Sequence, residues 1–365
     1  MSRAVALLLL ALLSAPAIAQ PGDDRPEPPP LTPPALRGQM QDAQIAASMN
    51  VWLTGLSAAG NFDGAVLVAR DGREVFAHAY GLAHRNPDVA ADLDTRYPMA
   101  SIGKLFTAIA IAQLEQQGKL RGSDTVGALI PDYPNAVSRA ATIDQLLNMQ
   151  GGIADIFGPA FHQADMNTFT SNADYFRFVA SRPPEFAPGA RTEYCNGCYV
   201  VLGEIVARAS GMRYEEYITQ SIVAPVGMAR TGFVRRSNLP ADTATFYGSP
   251  QGPGTPIVDV SEYHGVAGSA AGNIYSSLRD MLALDNALRE HRLLNPQYTA
   301  QVLHGVAEQG RATKRIGFAG GAPGVNTLLH GNGAWTLIVF ANREPPHAEA
   351  VDQAVFPLLA GPAAP

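Results

Sequence analysis

Leu105-Phe106-Thr107-Ala108-Ile109-Ala110-Ile111-Ala112 has almost no polar face. A helix that is apolar all round must be covered on every side. The chain therefore has to build a structure thick enough to bury this segment at its centre. The spacing predicts a helix over about Ser101–Gln117, stopped by Gly118 at the position of a C-terminal glycine. Ser101 and Lys104 open this helix, three residues apart and close to one turn, so both side chains fall on one face. At a helix start, unpaired N–H groups favour developing negative charge. The lysine can hold the serine hydroxyl and help remove its proton, as in a serine nucleophile that needs no histidine. S-x-x-K also arises by chance, so its meaning depends on the rest of the chain.

At 365 residues the chain is long for one core, and two lobes are expected. Hydrophobic residues make up 47% and charged residues 16%, which excludes a disordered chain. The net charge of −6 and the lack of a basic cluster argue against a nucleic-acid partner. Met1–Ala19 reads as a signal peptide: Arg3 at its head, an apolar run from Ala4 to Leu13, and Ala17-Ile18-Ala19 ahead of a cut after Ala19. That run is too short to span a bilayer, and no later stretch reaches transmembrane length. A periplasmic or secreted protein is expected. Residues 20–38 read as a proline-rich linker, with Gln20–Pro34 an extended tether outside the fold.

Gly38–Ala58 has the spacing of an amphipathic helix, with Ile45, Met49, Trp52 and Leu53 on one side. Phe62–Ala69 and Glu74–Gly81 are strand-like and joined at Asp71-Gly72, a hairpin signal. From 119 to about 240 the segments are mostly helical. They include Cys198–Ala209 ended by Gly211, and Tyr214–Val223 ended before Pro225. Thr142–Gln145 and Ser277–Asp280 read as capping boxes, the latter opening a helix to about Glu290. Residues 240–275 look irregular. Val325–His330 and Ala334–Ala341 form a second hairpin, and Ala348–Leu359 a closing helix. Strands at both ends with helices between imply an α+β fold: an antiparallel sheet flanked by N- and C-terminal helices, interrupted by an all-helical lobe. The domain is placed at 39–362, with the α/β lobe at 39–118 and 241–362 and the helical lobe at 119–240.

Tyr194-Cys195-Asn196 lies on a loop ahead of a helix, where two polar groups can point one way. A tyrosine beside a lysine can have its phenolate stabilised and act as a base. Phe318-Ala319-Gly320-Gly321-Ala322-Pro323-Gly324 leads into a strand, and its small residues allow close backbone approach to a ligand. In this order, Ser101-x-x-Lys104, Tyr194-x-Asn196 and the late glycine-rich strand resemble the serine β-lactamase and penicillin-binding-protein superfamily. The branch is that of class C β-lactamases, D-alanyl-D-alanine carboxypeptidases and related esterases. The flanks Pro188–Gly203, Ala224–Met228, Ala270–Asp280 and Gly321–Gly324 carry the resemblance further, over roughly 39–360.

The resemblance implies that Ser101 is acylated, that Lys104 and Tyr194 share the base role, and that Asn196 holds Lys104 or the substrate. It implies an oxyanion hole from the N–H groups of Ser101 and Gly321. Phe318, Ala319 and Gly320 would face substrate, which would be a small ester or amide or a cell-wall peptide. No cofactor and no metal is expected; oligomeric state is not readable.

Three features depart from the family pattern. Phe318 stands where the family has Lys or His, and phenylalanine can neither meet a substrate carboxylate nor relay a proton. This favours an esterase on uncharged substrates, unless Arg311, Lys314 or Arg315 compensate. The alternatives are a weak cell-wall-peptide-binding protein, a carboxypeptidase or a β-lactamase. Asn148–Gly152 replaces the family's His-Thr-Ser-Gly and is expected to alter packing beneath the site or the pocket wall. The connection between the helix near Ala300 and Phe318 is short, and the strand usually found there looks abbreviated. Cys195 and Cys198 either pair as a disulfide in an exported chain or remain two small buried side chains. The histidines show no acidic partner at recognisable spacing; His78 reads as structural, and His264 lies nearest the small-residue loop.

Overall fold

The computed structural model describes residues 32–251, 255–304 and 316–361. The signal peptide, the first part of the linker, and Arg311, Lys314 and Arg315 lie outside the described residues.

Helix α1 (Asp42–Ala58) precedes β1 (Gly64–Arg70) and β2 (Arg73–Tyr80). The two strands turn at Asp71 and Gly72, both at positive φ, as a two-residue hairpin requires. Helix α2 (Gly103–Gln116) follows a 3-10 turn at Ala100–Ile102. Helix α3 (Asn196–Ser210) ends at Gly211 in the left-handed conformation, and α4 is Leu278–Arg289. Strands β3 (Ile316–Ala322), β4 (Val325–Gly331) and β5 (Trp335–Ala341) lead into α5 (His347–Ala360).

The five strands form one antiparallel sheet in the order β2-β1-β5-β4-β3. Central β1 and β5 are covered on both faces, which explains their near-continuous apolar sequence. The outer face, with Val66, Val68, Leu337 and Val339, packs on Ile45, Met49 and Leu53 of α1 and on Val351 and Val355 of α5. The inner face, with Leu67, Ile338 and Phe340, belongs to a second cluster running through α2 into the helical lobe. In α2, eleven of fourteen residues are buried, so the apolar helix does run through the middle. The sheet's inner face and the helical lobe share that one core, so the two lobes do not have separate centres. Between residues 119 and 240 no described residue joins a named strand, in keeping with the helical lobe.

Several expectations need correction. The linker does not extend to residue 38 as a free tether. Leu36 is fully buried in the outer cluster, Trp52 Nε1 donates to the Thr32 carbonyl at 2.7 Å, and Gly38 N donates to Leu358 O at 2.9 Å. The segment lacks helical periodicity because it is an extended strap that buries single side chains. The helix from Tyr214 does not stop before Pro225: a π turn (Thr219–Val223) passes into a helical turn through Val226, where the proline occupies a first-turn position that needs no N–H. The short connection expected between the helix near Ala300 and Phe318 falls mostly on residues 305–315, outside the described residues; from Ile316 to Ala322, β3 pairs residue by residue with β4.

Candidate active site

Ala100 adopts φ +43°, a conformation that costs a non-glycine residue about 1–3 kcal/mol. It turns the chain sharply between the short strand Tyr97–Pro98 and α2, and Ser101 follows on the first turn. The bend is pinned on two sides. Asn273 N donates to the Ala100 carbonyl at 3.1 Å, and Thr327 Oγ1 on β4 donates to the Met99 carbonyl at 2.9 Å.

Ser101 Oγ receives two hydrogen bonds, from the Tyr194 hydroxyl at 2.7 Å and from Lys104 Nζ at 3.2 Å. Lys104 is buried, and its other two donors go to Asn196 Oδ1 and the Ala271 carbonyl, both at 2.7 Å. All three N–H bonds of the ammonium are thus used. Among the described residues no carboxylate pairs with it. Its Nζ lies 4.9 Å from the centre of the Tyr194 ring. With its hydroxyl on Ser101 Oγ, Tyr194 is the tyrosine placed to exchange a proton with the serine. The neighbouring Tyr199 does not compete, because burial pushes its phenol well above the ordinary value. Serine, lysine, tyrosine and asparagine, 95 residues apart in the chain, therefore form one connected group.

Local structure explains how Tyr194 and Asn196 are held. Cys195 is the N-cap of α3 and Asn196 its first residue. Cys195 and Cys198 are joined as a disulfide, and both are buried. Beneath the loop lies the altered segment 148–152. Glu193 N donates to the Met149 carbonyl at 3.0 Å, and Gln150 Nε2 to Thr192 Oγ1 at 3.0 Å. The departure at Met149 thus concerns the support under the tyrosine.

Edge strand β3 closes the site from the other side. A Cβ on Gly320 would lie 2.6 Å from the Met99 carbonyl and 2.7 Å from Ser101 N, so only glycine lets the strand come this near. A cavity opens beside Ser101, with Gly321 and Ala322 of β3 in its wall. Phe318, Ala319 and Gly320, expected to face substrate, are absent from that lining; Phe318 packs against the main core and Gly320 is buried under Ser101. Ile156, Phe157, Phe161, Tyr175 and Tyr263 form the apolar wall. Asn196, Ser269, Asn273 and His264 add polar atoms.

His264 is stacked on Phe246 with ring centres 4.0 Å apart, and its Nε2 lies 2.8 Å from the Pro323 carbonyl. A carbonyl only accepts, so Nε2 carries the proton. Burial pulls this imidazole down to about 4, and the ring is neutral near pH 7. His330 has an acidic partner after all: its Nδ1 lies 2.8 Å from Asp352 Oδ1 on α5, behind the sheet and away from the cavity. Strand β5 and the start of α5 lie between the two residues in the chain, so spacing alone does not reveal the pair.

Two participants had no sequence signal. The Ala271 carbonyl is backbone, aimed at Lys104 because Thr107 of α2 donates to the adjacent Ala270 carbonyl at 2.7 Å. Asp155 accepts from Asn196 Nδ2 at 3.1 and 3.3 Å. It carries no spacing relation to the serine or the tyrosine.

The sequence profile of the family described as Beta-lactamase matches residues 49–356. The chain belongs to this family. Over 181 residues it is 32% identical to Penicillin-binding protein 4* of Bacillus subtilis (strain 168), covering 49% of this chain and 40% of the relative. Over 236 residues it is 31% identical to a protein of that organism named Putative penicillin-binding protein PbpX, covering 64% and 56%. The chain thus spans about half the length of the curated relatives it matches. Among solved structures, a penicillin binding protein from Bacillus halodurans superposes with a TM-score of 0.75 at 26% identity, over 84% of this chain and 99% of that one. D-amino acid amidase from Ochrobactrum anthropi SV3 does so with a TM-score of 0.68 at 23% identity, over 83% and 94%, and shares the fold.

Proposed function

We propose that this chain is an exported serine hydrolase that forms an acyl-enzyme on Ser101 and acts on neutral esters or small amides. The observation that carries the reading is the hydrogen-bonded group of Ser101, Tyr194, Lys104 and Asn196 at the mouth of a cavity. Loss of one proton from the tyrosine–lysine pair leaves a base in contact with Ser101 Oγ. The base takes the serine proton as Oγ bonds to the substrate carbonyl carbon. The N–H groups of Ser101 and Gly321 receive the developing oxyanion. Tyr194 returns the proton to the departing alcohol or amine as its bond to carbon breaks. Water then adds to the ester carbon by the same route, and the acid leaves with Ser101 restored.

Neutral substrates fit the cavity wall, which among the described residues contains no Asp, Glu, Lys or Arg and whose histidine is uncharged. The Met1–Ala19 leader supports export to the periplasm or medium. No helix among the described residues is long and apolar enough to cross a membrane. The names of the Bacillus relatives favour a second reading, in which a penicillin or a D-Ala-D-Ala peptide acylates Ser101.

Intact-mass measurement after treatment with a fluorophosphonate checks the first step. The wild type is expected to gain one adduct and Ser101→Ala none; equal labelling of both would refute the assignment. Side-by-side turnover of p-nitrophenyl acetate, nitrocefin and a D-Ala-D-Ala peptide separates the readings. The ester is expected to exceed the carboxylate substrates by about 10- to 100-fold in kcat/KM, the value of a missing charged hydrogen bond. A ratio in the opposite sense would favour the second reading.

A further inference from the structure

We propose that Asp155 is a positioning residue for this reaction, acting through Asn196 to set the lysine that serves Ser101; the inference rests on the acyl-enzyme reading above. An asparagine amide has a donor end and an acceptor end of nearly equal shape, so its direction is decided by its neighbours. On one side of Asn196 stands Lys104, which can only donate and lies 2.7 Å from Oδ1. On the other stands the Asp155 carboxylate, which when ionised can only accept; its oxygens lie 3.1 and 3.3 Å from Nδ2. A donor-only group and an acceptor-only group on opposite ends leave one orientation. If the amide turned over, its NH2 would face the ammonium and its oxygen the carboxylate, a mismatch at both ends.

Asp155 is itself well held. Its Oδ1 accepts from Phe157 N at 3.3 Å, and its carbonyl accepts from Arg182 Nη1 at 2.5 Å. It lies beside the first turn of α3, with Asn196 N 3.5 Å from Oδ2, where a negative charge is favoured by the helix. That close approach depends on Gly197, at which a Cβ would fall 2.0 Å from the Ala154 carbonyl. Among the described residues Asp155 makes no ion pair, so its polar contacts are devoted to this arrangement. Ile156 and Phe157, next in the chain, line the cavity, so the wall and the base share one hydrogen-bonded support.

The test is a double-mutant cycle on the full chain, read with p-nitrophenyl acetate kinetics, phosphonate labelling rate and thermal melting. Asp155→Ala is expected to lower kcat by about 10- to 100-fold with KM changed less than about threefold, since the lost interaction serves the transition state. Asp155→Asn keeps an acceptor oxygen and is expected to return kcat to within about fivefold of wild type. In an Asn196→Ala background, Asp155→Ala is expected to add less than about twofold, because the two residues act as one unit. If the alanine variant melts too early to assay, Asp155→Ser, too short to reach the amide, takes its place in the cycle. An undiminished Asp155 effect in the Asn196→Ala background, a change confined to KM, or no change in kcat would overturn the proposal. A wild type that is neither labelled nor active would instead overturn the acyl-enzyme reading on which it rests.

Discussion

Gly320 shows how one missing side chain permits the site. The strand that supplies Gly321 reaches Ser101 only because position 320 projects nothing toward Met99 and Ser101. Gly320→Ala would force either the strand or the nucleophile turn to move. We expect a loss of about 1–3 kcal/mol in stability, the usual range for overpacking. We also expect kcat to fall by at least about tenfold, because a small displacement of Ser101 from the proposed oxyanion donors is costly. Urea melting and p-nitrophenyl acetate turnover measure the two; an unchanged kcat would show that β3 does not set the geometry at Ser101.

At the scale of elements, the start of α3 holds Tyr194 and Asn196, the two side chains proposed to act on Ser101, on either side of Cys195. The disulfide to Cys198 closes a loop of only a few residues, so chain entropy allows it no more than about 2 kcal/mol of stability. Its larger effect is on position, since Tyr194 precedes and Asn196 follows the bridged residue. Reduction with a phosphine is expected to shift the melting temperature little and to lower kcat by about tenfold through loss of alignment. The Cys195→Ser/Cys198→Ser double variant should reproduce the fall. Full activity of the reduced protein would assign the bridge to stability alone.

At the scale of the whole molecule, buried His264 makes stability depend on pH. Its folded value of about 4 lies below the ordinary 6.5, because burial disfavours the charged ring. The unfolded chain therefore takes up the proton first as pH falls. The contribution of the neutral ring is complete above pH 6.5 and is lost progressively down to about pH 4, amounting to about 3 kcal/mol. His347 is shifted the same way by burial. In His264→Gln that part of the slope should vanish, so the variant loses less stability than wild type between pH 6.5 and 4. Denaturant titrations at fixed pH values check this; parallel pH dependence in the two proteins would contradict it.

Local chemistry wrote much of this into the sequence. The unbroken apolar face of Leu105–Ala112 required a buried central helix, Asp71-Gly72 required a tight hairpin, and Thr142 and Ser277 marked helix starts by their caps. Ser101, Lys104, Tyr194 and Asn196 were legible as residue types able to do acyl chemistry, because their motifs are short and lie on helix starts or loops. Other features needed the folded chain. The Thr32–Gly38 strap is held by contacts with α1 and α5, and β3 is a full strand because β4 pairs with it. Phe318 turned to the core while Gly321 turned to the cavity, since strand register, and not composition, chooses the face. Asp155 and the Ala271 carbonyl joined the site through distances of about 3 Å across 41 and 167 residues of sequence. Sequence alone determined which residues could react and which segments had to be buried, because those follow from side-chain chemistry and local periodicity. Tertiary structure alone decided which groups orient them, because a hydrogen bond between distant residues is set by packing.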